Sequence, residues 1–146
     1  MSVQALINAL RSVPYLATLG ITVEQARPGR VTLKLPLSEP LKDHSGGMHT
    51  SAVFAAGEAA AGVAVGTHPV LATITSLQKA TGIKYLQRAT TDITASAALD
   101  DTFVADVQRG LKETGRTEAD VIVAIYDARG RQVAEVVAVY TFRSSS

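Results

Sequence analysis

Residues 48–65 read MHTSAVFAAGEAAAGVAV, and the predicted architecture is built around this segment. It lacks the alternation of a strand and is rich in alanine, which favours a helix of about 27 Å at 1.5 Å per residue. Gly66 and Pro69 are expected to end the helix. Glu58 is its only charged residue. A helix that is apolar nearly all round must be covered on most sides, so we expect a sheet to curl around it.

The segments on either side of this helix supply that sheet. The sequence predicts a short amphipathic helix over 2–12, a pair of strands over 20–26 and 30–36 with a Pro-Gly turn between them, and five strands over 72–87, 91–99, 102–112, 116–127 and 131–143. The last two strands are joined by a type I turn that ends in a glycine. The order predicts one α+β domain over residues 1–146, in which a curled antiparallel sheet wraps one long central helix.

Composition narrows the possible functions. The chain has 146 residues, a formal net charge of +1 and no cysteine. This charge balance argues against nucleic acid or an anionic membrane as the main partner, and the lack of cysteine excludes disulfides and thiolate sites. No apolar run reaches the roughly 18 residues of a membrane span, and the N-terminal residues lack the pattern of a signal peptide. We therefore expect a cytoplasmic protein.

The stretch DHSGGMHTSAVFAAGE, residues 43–58, carries a family resemblance. It resembles the hotdog-fold thioesterase superfamily, in particular the small acyl-CoA thioesterases and their uncharacterised relatives, in which a histidine opens the helix and an acidic residue follows nine positions later. His49 and Glu58 occupy those two positions. IKYLQRATTDITASAAL at 83–99 and the closing hairpin at 115–142 are similar to further parts of the family pattern. Thr50 and Ser51 stand where the family usually has two glycines.

The resemblance implies hydrolysis of an acyl-CoA thioester at a site shared by two copies of the chain. Glu58 would be the general base or the nucleophile. The backbone N–H of His49 or Thr50, at the positive end of the helix dipole, would polarise the thioester carbonyl. Asp43 and His44 would shape the loop before the helix and orient water or the partner's carboxylate. The hotdog fold would be the architecture that carries this site.

Further residues are expected to contact the substrate, three of them as basic side chains for the phosphates of coenzyme A. They are Gly47, Met48, Ser76, Lys84, Arg88 and Arg116. The small side chains of the central helix favour a homodimer, with a dimer of dimers as an extension. We expect no metal site, because His44 and His49 have no third ligand at suitable spacing, and we expect no cofactor.

Three other interpretations are open at this point. His44 and Glu58 are 14 residues apart, which looks like the spacing of the catalytic pair in hotdog dehydratases and hydratases. A module that binds acyl chains without turning them over is favoured by the missing glycines. A purely structural Glu58 would be satisfied by hydroxyls such as those of Thr73 or Ser76.

Overall fold

The computed structural model describes residues 2–144, which form four α-helices, two short 3-10 turns and six strands. The helices are α1 (Val3–Arg11), α2 (Pro14–Leu19), α3 (Thr50–Thr67) and α4 (Asp101–Thr114), and the 3-10 turns are Glu39–Leu41 and Leu71–Thr73. The strands are β1 (Thr22–Arg27), β2 (Arg30–Leu35), β3 (Thr75–Tyr85), β4 (Ile93–Ala98), β5 (Arg116–Asp127) and β6 (Gln132–Arg143).

All six strands form one antiparallel sheet in the order β1-β2-β4-β5-β6-β3. The sheet curls around α3, which packs against β2, β4, β5 and β6. This is the predicted arrangement of a sheet around one long central helix. The helix itself begins two residues later and ends two residues later than the sequence prediction of 48–65.

The closing hairpin follows the sequence prediction closely. Val121, Val123 and Ile125 of β5 are fully buried against the helix side, whereas Ile122 between them is exposed. The turn after β5 ends at Gly130, which has a φ of 80° and donates its N–H to Asp127 O at 3.0 Å. Alternation and turn chemistry were therefore sufficient to predict β5 and β6 from the sequence.

The prediction of a strand over 102–112 is wrong, because this segment lies within the helix α4. Asp100 caps the helix by accepting a hydrogen bond from Phe103 N at 2.8 Å, and Gly115 ends it with a φ of 76°. Its buried side chains, Val104 and Val107, are three residues apart, which is a helical spacing. The cap and the final glycine were the sequence features that distinguish this helix from a strand. Four strands, not five, follow α3 in the described residues.

Close packing between α3 and β6 depends on Gly57. A Cβ atom built at this position would lie 2.5 Å from Val136 Cγ2 and 3.1 Å from Ile125 Cδ1. Only a residue without a side chain lets the helix approach the sheet this closely. Gly57 therefore fixes the height of α3 above the sheet immediately before Glu58.

The sheet has two free edges, at β1 and β3. β3 pairs only with β6, and its outer side is not covered by any element of the described chain. Leu77 is 69% exposed and Tyr85 is 48% exposed on this strand, which is a large apolar exposure for an edge. The edge strand β3 also contacts the exposed face of α3, because Gln78 of β3 forms a hydrogen bond with Glu58.

Candidate active site at the start of the central helix

Asp43 organises the loop that leads into α3. Its carboxylate accepts hydrogen bonds from the N–H groups of Ser45 (2.9 Å) and Gly47 (3.1 Å) and from Arg88 Nη2 (2.9 Å). These contacts, with the Ser45 N–H as the largest influence, hold the pKa of Asp43 below its ordinary value. Asp43 is thus ionised at neutral pH and holds the loop in place. His44 beside it is exposed.

Gly47 and Met48 join this loop to the segment after β3. Met48 donates its N–H to Ala89 O at 2.8 Å and is 2% exposed. A Cβ atom on Gly47 would lie 2.7 Å from Arg88 Nη2, so the absence of a side chain there permits the contact between Arg88 and the loop. The two residues support one wall of the site.

The first turn of α3 leaves one backbone donor free. His49 donates its N–H to Leu41 O at 2.8 Å, and its ring Nδ1 accepts the N–H of Ser51 at 3.1 Å, which makes His49 the N-cap of the helix. Thr50 N–H has no hydrogen-bond acceptor among residues 2–144. Of the two donors that the resemblance implies for the thioester carbonyl, only the Thr50 N–H is therefore available in this structure.

A groove of about 410 Å³ opens beside this free donor. The hydroxyl of Tyr85, which also lines the groove, donates to Thr50 O at 3.1 Å. The groove is lined by Asp43, Met48, Thr50, Val53, Tyr85, Leu86, Gln87, Arg88, Ala89 and Val133. Four residues predicted from the sequence meet here, together with an apolar floor. Such a site fits a mostly apolar ligand with a polar group at the helix start.

Glu58 lies outside this groove, further along α3. A helix that is covered on most sides would be expected to bury Glu58, but the side chain is exposed, because the sheet leaves this face of α3 open. Gln78 Nε2, from β3, donates to Glu58 Oε2 at 3.0 Å. Two other residues on this face of α3 are exposed as well: Ser51 in the first turn of the helix and Gly62 one turn after Glu58.

Tyr140 reaches the same open face from β6. A Cβ atom built on Gly62 would lie 3.4 Å from the Tyr140 hydroxyl oxygen, so the phenol ends beside the helix one turn after Glu58. The ring is 6% exposed and stacks against Phe142, with 6.2 Å between the ring centroids. Burial, and secondly the negative charge of Glu58, raise the pKa of Tyr140 above its ordinary value.

The remaining predicted contacts do not reach the groove. Ser76 and Arg116 line a separate cleft of about 420 Å³ at the start of β3, together with two further cations, Lys79 and Arg143. Lys84 lies on β3 in register with Glu135 of β6. Within one copy of the chain, Ser76, Lys84 and Arg116 therefore lie away from the groove at the start of α3. Their contact with substrate stays a prediction.

Sequence reasoning missed three side chains that the fold brings to the site: Gln78, Tyr85 and Tyr140. For Gln78 and Tyr85 the sequence holds no distinguishing feature, since their positions depend on how β3 is registered against β6. For Tyr140 a feature was present. Alternation in the last strand places it on the buried face, and a buried tyrosine normally needs a partner for its hydroxyl.

Two further properties of the described residues bear on function. No helix within residues 2–144 is long and apolar enough to cross a membrane. Within the same range no three His, Cys, Asp or Glu side chains come together as a metal-binding group.

Comparison with solved structures identifies the fold. A protein of unknown function from Pseudomonas aeruginosa, PA5026, described as "Probable Thioesterase", has a TM-score of 0.91 at 24% identity, over 99% of this chain and 97% of that one. A putative thioesterase from Shewanella oneidensis has a TM-score of 0.76 at 18% identity, over 96% and 99% of the two chains. A mutant of the phenylacetic acid degradation protein PaaI from Thermus thermophilus has a TM-score of 0.68 at 18% identity, over 89% and 98% of the two chains.

These likenesses confirm the predicted hotdog fold. No curated protein matches the sequence. A family profile described as "Domain of unknown function (DUF4442)" matches residues 4–141, so almost the whole chain is covered. The protein has the hotdog fold and belongs to the DUF4442 family.

Proposed function

We propose that this protein hydrolyses an acyl-CoA thioester in a cleft between two copies of the chain. The observation that carries the proposal is the start of α3, where the free N–H of Thr50 stands at the edge of an apolar groove. Glu58 offers an exposed carboxylate further along the same helix. Two neighbours of the same fold are named as thioesterases, which supports this class of reaction without fixing the substrate.

The need for two copies follows from helix geometry. Thr50 and Glu58 are eight residues apart, which is about 12 Å along a helix, so one chain cannot direct both groups at the same carbonyl. A second copy that pairs along the free edge of β3 would cover the open face of α3 and bring its own Glu58 towards the groove. Exposed Leu77 and Tyr85 on this edge support the pairing.

The proposed reaction uses each group in one step. Glu58 takes a proton from water, and the water oxygen attacks the thioester carbonyl carbon. The negative charge that develops on the carbonyl oxygen is stabilised by the Thr50 N–H at the positive end of α3. The carbon–sulfur bond then breaks, and the sulfur leaves with the proton held by Glu58, which gives the free acid and coenzyme A. If Glu58 attacks the carbonyl itself, water instead hydrolyses the resulting anhydride.

Coenzyme A would bring its phosphates to the basic side chains. Arg88 lies at the groove, although its guanidinium group is also paired with Asp43. We propose that Ser76 and Lys84, which lie on β3, and Arg116, which shares a cleft with Ser76, reach the substrate from the second copy. His44 would stay a loop residue in this mechanism.

The test is a panel of acyl-CoA esters of different chain length, with a reagent that detects the released thiol. We expect CoA release by the wild-type protein and a loss of about 100-fold or more in kcat for Glu58→Gln. Glu113→Gln is the matched control, because Glu113 is an exposed helical glutamate on α4. Full activity in Glu58→Gln would refute the role of Glu58. Hydration of an enoyl thioester without CoA release would indicate a hydratase. No turnover of any ester would indicate a module that binds acyl chains.

A further inference from the structure

Tyr140 carries a hydroxyl whose presence the core packing does not explain. The side chain is almost completely buried, with an exposed fraction of 6%, yet its hydroxyl forms no hydrogen bond within residues 2–144. A buried tyrosine is normally stabilised by a partner for this group. A phenylalanine would fill the same space against Phe142 without leaving an unpaired oxygen.

The hydroxyl is open to solvent. No side-chain oxygen or nitrogen that is completely buried lacks a hydrogen-bond partner in the described chain, so the unpaired oxygen of Tyr140 must touch water. It does so beside Gly62, which is exposed and has no side chain to cover it. A larger residue at position 62 would occupy the space next to this oxygen.

The opening faces Glu58. Gly62 follows Glu58 by four residues, so the two lie on the same face of α3 one turn apart. Helical side chains lean towards the N-terminus, hence the space above Gly62 is shared with the turn that carries Glu58. Burial, and secondly the charge of Glu58, raise the pKa of the Tyr140 phenol, which stays protonated at neutral pH. The hydroxyl is therefore a hydrogen-bond donor beside a carboxylate.

Glu58 is also held by Gln78, the residue of β3 that is paired with Tyr140 of β6. Gln78 Nε2 donates to Oε2 of the carboxylate, while Oε1 has no partner among the described residues. One carboxylate oxygen is thus fixed by β3, and the other is free to accept a proton. A water molecule between this oxygen and the phenol would have a hydrogen-bond partner on each side.

We propose that Tyr140 is a positioning residue, whose hydroxyl holds the attacking water against Glu58. The inference rests on the proposed function. The phenol donates to one lone pair of the water, Glu58 accepts one of the water's protons, and the second lone pair attacks the thioester carbon. The phenol keeps its own proton throughout, so it neither gains nor loses charge in the reaction.

The first test is Tyr140→Phe, with Tyr126→Phe as the matched control on β5. We expect kcat to fall on the order of tenfold to a hundredfold with little change in KM, because misplacing the water affects the chemical step more than substrate binding. Thermal stability should be unchanged or higher, since the variant removes a hydroxyl that has no protein partner. Tyr126→Phe should leave kcat unchanged.

The second test needs no substrate. In protein labelled with ¹³C at the tyrosine Cζ, the Tyr140 resonance is assigned by its loss in Tyr140→Phe. We expect it to move in Glu58→Gln and to stay in place in Glu118→Gln, in which the changed side chain pairs with Lys79 instead. An unchanged Tyr140 resonance in Glu58→Gln would overturn the inference.

The outcomes separate this inference from the proposed function. Activity that requires Glu58 but is unaffected in Tyr140→Phe refutes the role of Tyr140 alone. A Tyr140→Phe protein that loses stability with an unchanged kcat assigns the residue to the core and also refutes the inference. No CoA release by the wild-type protein with any ester overturns both.

Discussion

Replacing Gly57 by alanine tests the packing that sets the position of α3. The added Cβ atom would lie 2.5 Å from Val136 Cγ2, which is closer than real Cβ atoms come to other atoms, so the helix or β6 must move. Overpacking of this kind costs about 1–3 kcal/mol. Alanine also favours the helix over glycine by roughly 0.5–1 kcal/mol, which partly hides the cost in a single measurement.

Gly66→Ala separates the two effects. Gly66 lies in the last turn of the same helix, and a Cβ atom there has no neighbour within 4 Å. The helix preference is common to both variants, so the difference in their free energies of unfolding reports the overpacking alone, about 1–3 kcal/mol. In a protein of 146 residues this corresponds to a separation of roughly 2–12 °C in Tm.

The assay is thermal and denaturant unfolding of both variants at one protein concentration, because any association of copies makes Tm depend on concentration. We expect Gly66→Ala to be as stable as the wild type or more stable, and Gly57→Ala to be the less stable of the two. Equal stability of the two variants would refute the close approach of α3 to β6. It would also remove the packing that fixes the height of Glu58 above the sheet.

Three more expected outcomes follow from the contacts of Glu58, Leu77 and Asp127. Glu58→Leu should change the free energy of unfolding by no more than about 0.5 kcal/mol, because the side chain is exposed and has one hydrogen bond. A large loss of stability in a thermal melt would show that the carboxylate has a structural role. Leu77→Lys should shift the protein from dimer to monomer in sedimentation, by placing a charge on the free edge of β3, whereas a monomeric wild type would contradict the proposed assembly. Asp127→Asn should lower stability at pH 7. Burial raises the pKa of Asp127, but the hydrogen bonds from Arg131 and Arg129 outweigh burial and hold this pKa below its ordinary value. That contribution is present above the unfolded pKa and is lost as the pH falls through the folded one, so denaturation at pH 3 should show a smaller gap between Asp127→Asn and the wild type than at pH 7.

The sequence was sufficient for the parts of the fold that local patterns control. The long alanine-rich run predicted α3, and alternation predicted β5 and β6, because helix period and strand period are properties of neighbouring residues. The segment 102–112 was misjudged since its mixture of valine, leucine and phenylalanine fits both periods. The cap at Asp100 and the glycine at 115 decide between them, and these lie outside the segment itself.

The site was less predictable because it depends on contacts between distant residues. The free donor at Thr50 follows only after Leu41 is seen to accept the N–H of His49. The exposure of Glu58 depends on β3 being an edge strand, which no local pattern reveals. The place of Tyr140 beside Gly62 likewise results from the packing of β6 on α3, between residues 78 positions apart.

The pairing of β3 has a consequence for the way the chain is made. β3 obtains its partner from β6, which begins 47 residues after β3 ends. At about 5–20 residues per second, the ribosome needs roughly 2–10 s to synthesise the intervening chain. During that interval β3, which carries the exposed side chains of Leu77 and Tyr85, has both of its edges unpaired, which is the condition in which nascent chains aggregate or recruit chaperones. The strand that we propose as the contact between two copies is therefore among the last to be placed, so folding of each chain and its assembly with a second would be completed almost together.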